Sequence, residues 1–162
     1  GVDYFADVVY VQAFDMTDAT CSHLSALVGL QKLDLIGAPV TDAGLEELAR
    51  LRKLNWLHLR ATRVTDAGIE KVGRLTGLRF LHLGDTQVTD DGLIHLAGLT
   101  NLKELCLGGT QVSDAGLSHL AGLTSLRILD VEGTQVTGEG CRRFRKAFPT
   151  CYVYHKIIHL PE

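Results

Sequence analysis

The sequence predicts an α/β solenoid, with a parallel sheet on a concave inner face and short helices on the convex outer one. Two observations lead there. Leu54, Leu57, Leu59, Val64, Asp66 and Gly68 recur as Leu78, Leu81, Leu83, Val88, Asp90 and Gly92, a period of 24 residues. One copy later the positions read Leu102, Leu105, Leu107, Val112, Asp114 and Gly116; one copy earlier, Leu30, Leu33, Leu35, Val40, Asp42 and Gly44. A fixed period of this length belongs to solenoids, propellers and arrays, whose units cannot bury an apolar face alone. The second observation is that each unit changes its rhythm midway. L-x-x-L-x-L alternates as a half-buried strand does, whereas Leu45, Leu48 and Leu51 step by three along one face of a short helix. Strand then helix, repeated, gives parallel strands on one side and helices on the other, wound right-handed.

Taken in order, residues 1–29 read as an N-terminal cap and a worn first copy. Subtracting one period from the next copy places Val9 and Val11 inward, with Thr17-Asp18 at a helix start. Cys21, Leu24 and Leu27 then continue the helix face, and Gly1 to Phe5 are expected to lie over the exposed end as a cap. Residues 30–149 hold five full copies. In these, Thr41, Thr65, Thr89 and Ser113 stand where a hydroxyl caps free helix N–H groups. Asp42, Asp66, Asp90 and Asp114 follow, and their charge suits a helix N-terminus. Gly98 and Gly122 are the expected stops. In the last copy Phe144 takes a leucine column within a basic run, Arg142 to Lys146, read as charge complementing the helix dipole. Residues 150–162 form a C-terminal cap in which 151–155 make a seventh strand. Terminal copies depart from the consensus because they shield an open core. No linker interrupts the series, so 1–162 reads as a single domain.

The unit L-x-x-L-x-L-x-x-T-x-V-T-D-x-G-L resembles a leucine-rich repeat, and in particular the short bacterial proteins built on VTDAGL repeats. It is also similar to the ITDxGL units of F-box-associated repeats, although no F-box helices are present. The resemblance covers nearly the whole chain and implies the leucine-rich-repeat horseshoe. One column departs from the commonest pattern: Ala38, Thr62, Thr86, Thr110 and Thr134 stand where Asn or Cys is usual. A stacked Thr hydroxyl is expected to bond the backbone of the neighbouring turn.

Composition narrows the function. The 162 residues are 46% hydrophobic and 22% charged, ordinary material for a folded domain. A net charge of −3 and a pI near 6.2 argue against nucleic acid or an anionic membrane as the main partner. No apolar run approaches the roughly 20 residues needed to span a bilayer, and residues 1–20 lack the pattern of a signal peptide. A chain beginning at Gly1 reads as a soluble piece excised from something longer; the compartment stays open. Cys21, Cys106, Cys141 and Cys151 have no metal-knuckle spacing. Cys21 and Cys141 fall in the column of Leu45, Ile69, Leu93 and Leu117 and read as small buried hydrophobes, with a Cys141–Cys151 bridge conceivable.

Inward leucines hold the stack, so function must come from residues between them, which face the concave side. The first such column runs Val8, Lys32, Trp56, Phe80, Glu104, Ile128, Tyr152; the second, Tyr10, Asp34, His58, His82, Cys106, Asp130, Tyr154. The third runs Gln12, Ile36, Arg60, Gly84, Gly108, Glu132, Lys156. Neighbours in a column sit about 4.8 Å apart. Trp56 and Phe80 are therefore adjacent and expected to be exposed, backed by His58, His82 and Arg60. An aromatic cluster with a polar rim marks a contact site. Gly84 and Gly108 would either leave room for a ligand chain or serve a tight turn.

The row Asp34–His58–His82–Cys106–Asp130 consists of metal-ligand residue types, but a nearly flat column diverges where zinc needs three or four converging groups. A pH-sensitive face fits better, since two neighbouring histidines charge against each other. Cys106 beside His82 lacks an orienting third group, so no catalytic residue, metal site or cofactor is assigned. His23, His95 and His119 read as solvated surface, and His155 and His159 as cap residues without clear partners.

The reading is non-catalytic recognition of a protein or peptide on the concave sheet, by a domain expected to be monomeric in isolation. Trp56, Phe80, His58, His82 and Arg60 form its centre, with Lys32, Asp34, Glu104, Cys106 and Asp130 around it. One alternative is an assembly role, in which this face packs on another domain or a second copy. A lesser one is a metal or redox site on the His58–His82–Cys106 row.

Overall fold

The computed structural model describes residues 9–155. Seven three-residue strands form one sheet in chain order, every neighbouring pair parallel. They are β1 (Tyr10–Gln12), β2 (Lys32–Asp34), β3 (Trp56–His58), β4 (Phe80–His82), β5 (Glu104–Cys106), β6 (Ile128–Asp130) and β7 (Tyr152–Tyr154). Between them run short helices α1 (Asp18–Cys21), α2 (Asp42–Leu48), α3 (Asp66–Val72), α4 (Asp90–Ile94), α5 (Asp114–Leu117) and α6 (Gly138–Ala147). Turns of 3-10 helix, Ser22–Ala26 and Ser118–Gly122, extend α1 and α5. Leu57, Leu59, Leu81, Leu83, Leu105 and Leu107 are wholly buried between sheet and helices. Each such side chain contributes roughly 1.5–3 kcal/mol on leaving water.

The Thr-Asp-x-Gly stretch does more than start helices. Asp66 Oδ1 accepts the backbone N–H of Thr89 at 2.8 Å, and its Oδ2 accepts the Thr89 hydroxyl at 2.7 Å. Asp18, Asp42, Asp90 and Asp114 do the same for Thr41, Thr65, Ser113 and Thr137. Each carboxylate thus staples its own turn to the next. The glycine two positions after each Asp from Asp42 to Asp114 makes room for the preceding staple: a Cβ on Gly92 would lie 2.4 Å from Asp66 Oδ1. The hydroxyls of Thr41, Thr89 and Ser113 still accept from the helix N–H two residues on, as expected of caps.

Several expectations need correction. The Thr column bonds within its own turn, not to the neighbour: Thr62, Thr86, Thr110 and Thr134 donate to the carbonyls of Leu59, Leu83, Leu107 and Val131, three residues back. In β1 the register is shifted. Tyr10 pairs with Lys32 and Gln12 with Asp34, and Val9 is 50% exposed instead of inward. The span from Val11 to Asp18 is two residues shorter than that from Leu33 to Asp42, so subtracting a constant period misplaces the strand. Helix α4 stops at Ile94, well before Gly98. Gly122 does end a 3-10 turn, but what demands glycine is close approach: a Cβ there would lie 2.6 Å from Ala97 O.

The three arginines of the basic run bond internally. Arg143 reaches Asp114, Arg142 reaches Glu139, and Arg145 donates to Val153 O. Phe144 and Phe148 stack at 4.5 Å against the last turn. His155 has a partner after all, Val136 O at 2.9 Å. All four cysteines are free thiols. Residues Gly1–Phe5, Val8, Lys156 and His159 lie outside the described residues.

Candidate functional site

The sheet register places Trp56 beside Phe80 and His58 beside His82, as the period predicts. Trp56 and Phe80 are half-buried, not exposed. Side chains on adjacent parallel strands crowd one another at the strand spacing, and the indole settles over the histidines. Its ring centroid lies 5.5 Å from that of His58, edge-on, and 6.0 Å from that of His82. The two imidazoles meet edge-to-face at 4.9 Å.

A carboxylate stands on either side of this pair. His58 Nδ1 is 3.3 Å from Asp34 Oδ1, and Gln12 Nε2 donates to Asp34 Oδ2 at 3.1 Å. Asp34 is buried, and Ile36 N–H also donates to its Oδ1. On the far side His82 Nε2–H donates to Glu104 Oε1 at 3.0 Å. His58 is held below its usual pKa, first by burial and then by the nearby His82 and Arg60 charges, against the opposing pull of Asp34. Neutral imidazole is therefore its favoured form near pH 7.

Beyond His82 the same column continues into a cavity of about 360 Å³, bordered by Arg60, His82, Glu104, Cys106, Asp130 and Tyr154. Cys106 donates its thiol hydrogen to Asp130 Oδ2 at 3.1 Å. Burial pushes the Cys106 thiol up to about 11, so it is neutral and a poor nucleophile near pH 7. Arg60 pairs outward with Asp85 Oδ2 at 2.9 Å. Lys32 falls elsewhere, in a separate cleft with Tyr10 on the other side of Trp56. Among the described residues no three His, Cys, Asp or Glu side chains converge as a metal ion would require. A Cβ on Gly84 would lie 3.1 Å from Gly108 O, and one on Gly108 3.2 Å from Asp130 Oδ2. These glycines serve tight packing at the turn.

Sequence reasoning passed over Gln12, Asp85 and Tyr154. Gln12 was hidden by the shifted first copy. Tyr154 stands in the predicted column but outside the predicted site residues. Asp85 belongs to the turn column Gly37, Ala61, Asp85, Gly109, Gly133, all with left-handed φ between 55° and 75°. Of the two non-glycine residues there, Asp85 alone carries a charge, and it pairs with Arg60.

Three consecutive stretches, residues 75–97, 98–121 and 122–144, match a family described as Leucine Rich repeat. Among solved structures, an internalin (inlF) of Listeria monocytogenes superposes with a TM-score of 0.72 at 24% identity, over 92% of this chain and 39% of its own. Internalin C2 of the same organism gives 0.71 at 28% identity, over 83% of this chain and 55% of its own. A leucine-rich-repeat protein of Leptospira interrogans gives 0.58 at 19% identity, over 80% and 38%. The chain thus spans between 38% and 55% of the length of these structures. No curated protein matches the sequence. Among the described residues no helix is long and apolar enough to cross a membrane.

Proposed function

Starting from a chain that belongs to the leucine-rich-repeat proteins, we propose that it is a non-catalytic module binding a protein or peptide on its concave sheet. One observation carries this reading: a half-exposed indole sits on a histidine pair that carboxylates flank on both sides. Tryptophan in a polar surround is the composition that concentrates binding energy at interfaces. Trp56, Phe80, His58, His82 and Arg60 form the centre, with Glu104, Cys106 and Asp130 on one side and Lys32 on the other fixing register, while buried Asp34 holds His58 in place. Burial of the indole against the partner supplies affinity; the polar groups select orientation.

The test is capture of partners by wild type and by Trp56→Ala/Phe80→Ala, after equal thermal stability of the two has been shown. A protein held by wild type and lost from the double variant, by roughly a hundredfold in affinity if the aromatics are hot spots, supports the reading. Equal capture by both overturns it.

A further inference from the structure

Two aspartates of one column, Asp34 and Asp130, share a local geometry and differ in their partners. Each folds Oδ1 back onto the N–H two residues on, that of Ile36 at 3.2 Å and that of Glu132 at 2.9 Å. Asp34 is then closed off: the Gln12 amide donates to Oδ2, His58 lies against Oδ1, and the residue is buried. Asp130 Oδ2 instead receives the Cys106 thiol, a weak donor. Its neighbour on the outer side is Tyr154, 50% exposed. Asp130 faces the cavity of about 360 Å³, to which Glu104 contributes a second carboxylate, its Oε1 bonded to His82 and its other oxygen not, and Tyr154 an aromatic wall. Arg60 also borders this cavity, but its guanidinium is paired with Asp85.

We propose that this cavity receives an arginine side chain of the protein partner, its guanidinium forked between Asp130 and Glu104 and laid against the Tyr154 ring. The proposal rests on the concave-face reading above and names the chemistry of its partner. Complementary charge selects a cation. The spread of two carboxylates and the flat aromatic wall select a planar one, since guanidinium donates along two edges while stacking on a ring. A guanidinium N–H is a far stronger donor to Asp130 Oδ2 than the thiol it displaces.

The probe is N-acetyl-arginine methylamide, titrated into the isotope-labelled chain and followed by amide spectra, with the neutral citrulline and the lysine counterparts alongside. Saturable shifts at Cys106 and Glu132 are expected, roughly tenfold weaker in affinity for citrulline and for Asp130→Asn. Asparagine retains an oxygen for the Glu132 N–H, so the fold should survive, and unchanged thermal stability will verify this. Equal affinity for arginine and citrulline, or shifts that Asp130→Asn leaves intact, overturn the proposal. Lysine binding as tightly as arginine overturns the guanidinium assignment. The probe needs no partner, so its failure is separable from failure of the capture experiment. A partner lost by Trp56→Ala/Phe80→Ala yet held equally by Asp130→Asn would also remove this cavity from the interface.

Discussion

The two faces of each turn obey different rules. On the helix side, Thr-Asp-x-Gly returns from turn to turn, and the staple from Asp42 to Thr65 has the same length, 2.6 Å between Oδ2 and hydroxyl, as that from Asp90 to Ser113. On the strand side, equivalent positions read Tyr10, Lys32, Trp56, Phe80, Glu104, Ile128 and Tyr152. The helix side repeats because each Asp there must meet a hydroxyl and a glycine one turn away, whereas strands pair through backbone that any side chain can carry. The strand side is released from that demand. Periodicity marks what geometry requires, and departure from it marks where the surface is free to vary.

The largest effect that should follow is from Gly92→Val. The added side chain would occupy the place of Asp66 Oδ1, so the staple to Thr89 must open or the helix shift, costing about 3 kcal/mol. Urea unfolding measures this, and a variant as stable as wild type would break the claim that the glycine column is steric. Next is Ala61→Gly. Ala61 sits at φ 56° in a column otherwise mostly glycine, and relief of that conformation should stabilise by about 1 kcal/mol after the glycine entropy cost. An unchanged midpoint would show that the turn relaxes around the methyl group.

The smallest effect separates the faces by pH. With its folded pKa depressed mainly by burial, His58 is protonated more readily in the unfolded chain. Its contribution is complete above the unfolded value of about 6.5 and is lost as pH falls through the lower folded value. Asp114 is held below its usual range first by the Thr137 N–H, then, against desolvation, by the Thr137 hydroxyl and Arg143. Its contribution is complete above about 3.9 and is lost as pH falls through a value lower still. Stability against pH should therefore decline in two windows, the upper from His58 on the concave face and the lower from the Asp114 staple. His58→Gln should remove the upper window alone. A profile unchanged in that variant would count against the neutral, buried imidazole.

How much was legible follows the same division. Repetition carried β2 to β7 into register, and with them the neighbours Trp56–Phe80 and His58–His82. It failed at β1, where no preceding turn enforces the period. The staples escaped notice because Thr followed by Asp also fits a helix start. What distinguishes a staple is the glycine two places after the Asp, small to clear a carboxylate from the turn before. The cavity at Asp130 was invisible for another reason. Asp34 and Asp130 occupy equivalent positions, and only their three-dimensional neighbours, Gln12 and His58 in one case and Cys106 in the other, make one closed and one open.

Every staple joins residues 23 apart in the chain, whichever turns it links. A gene of this kind can recombine unequally with itself between equivalent codons, and the product gains or loses whole turns without leaving any Asp or Thr unmatched. The sheet then lengthens by about one strand spacing, 4.8 Å, per recombination event. Substitutions on the concave columns can meanwhile be selected turn by turn. Length and surface chemistry thus change by separate genetic routes, one by copying and the other by point mutation.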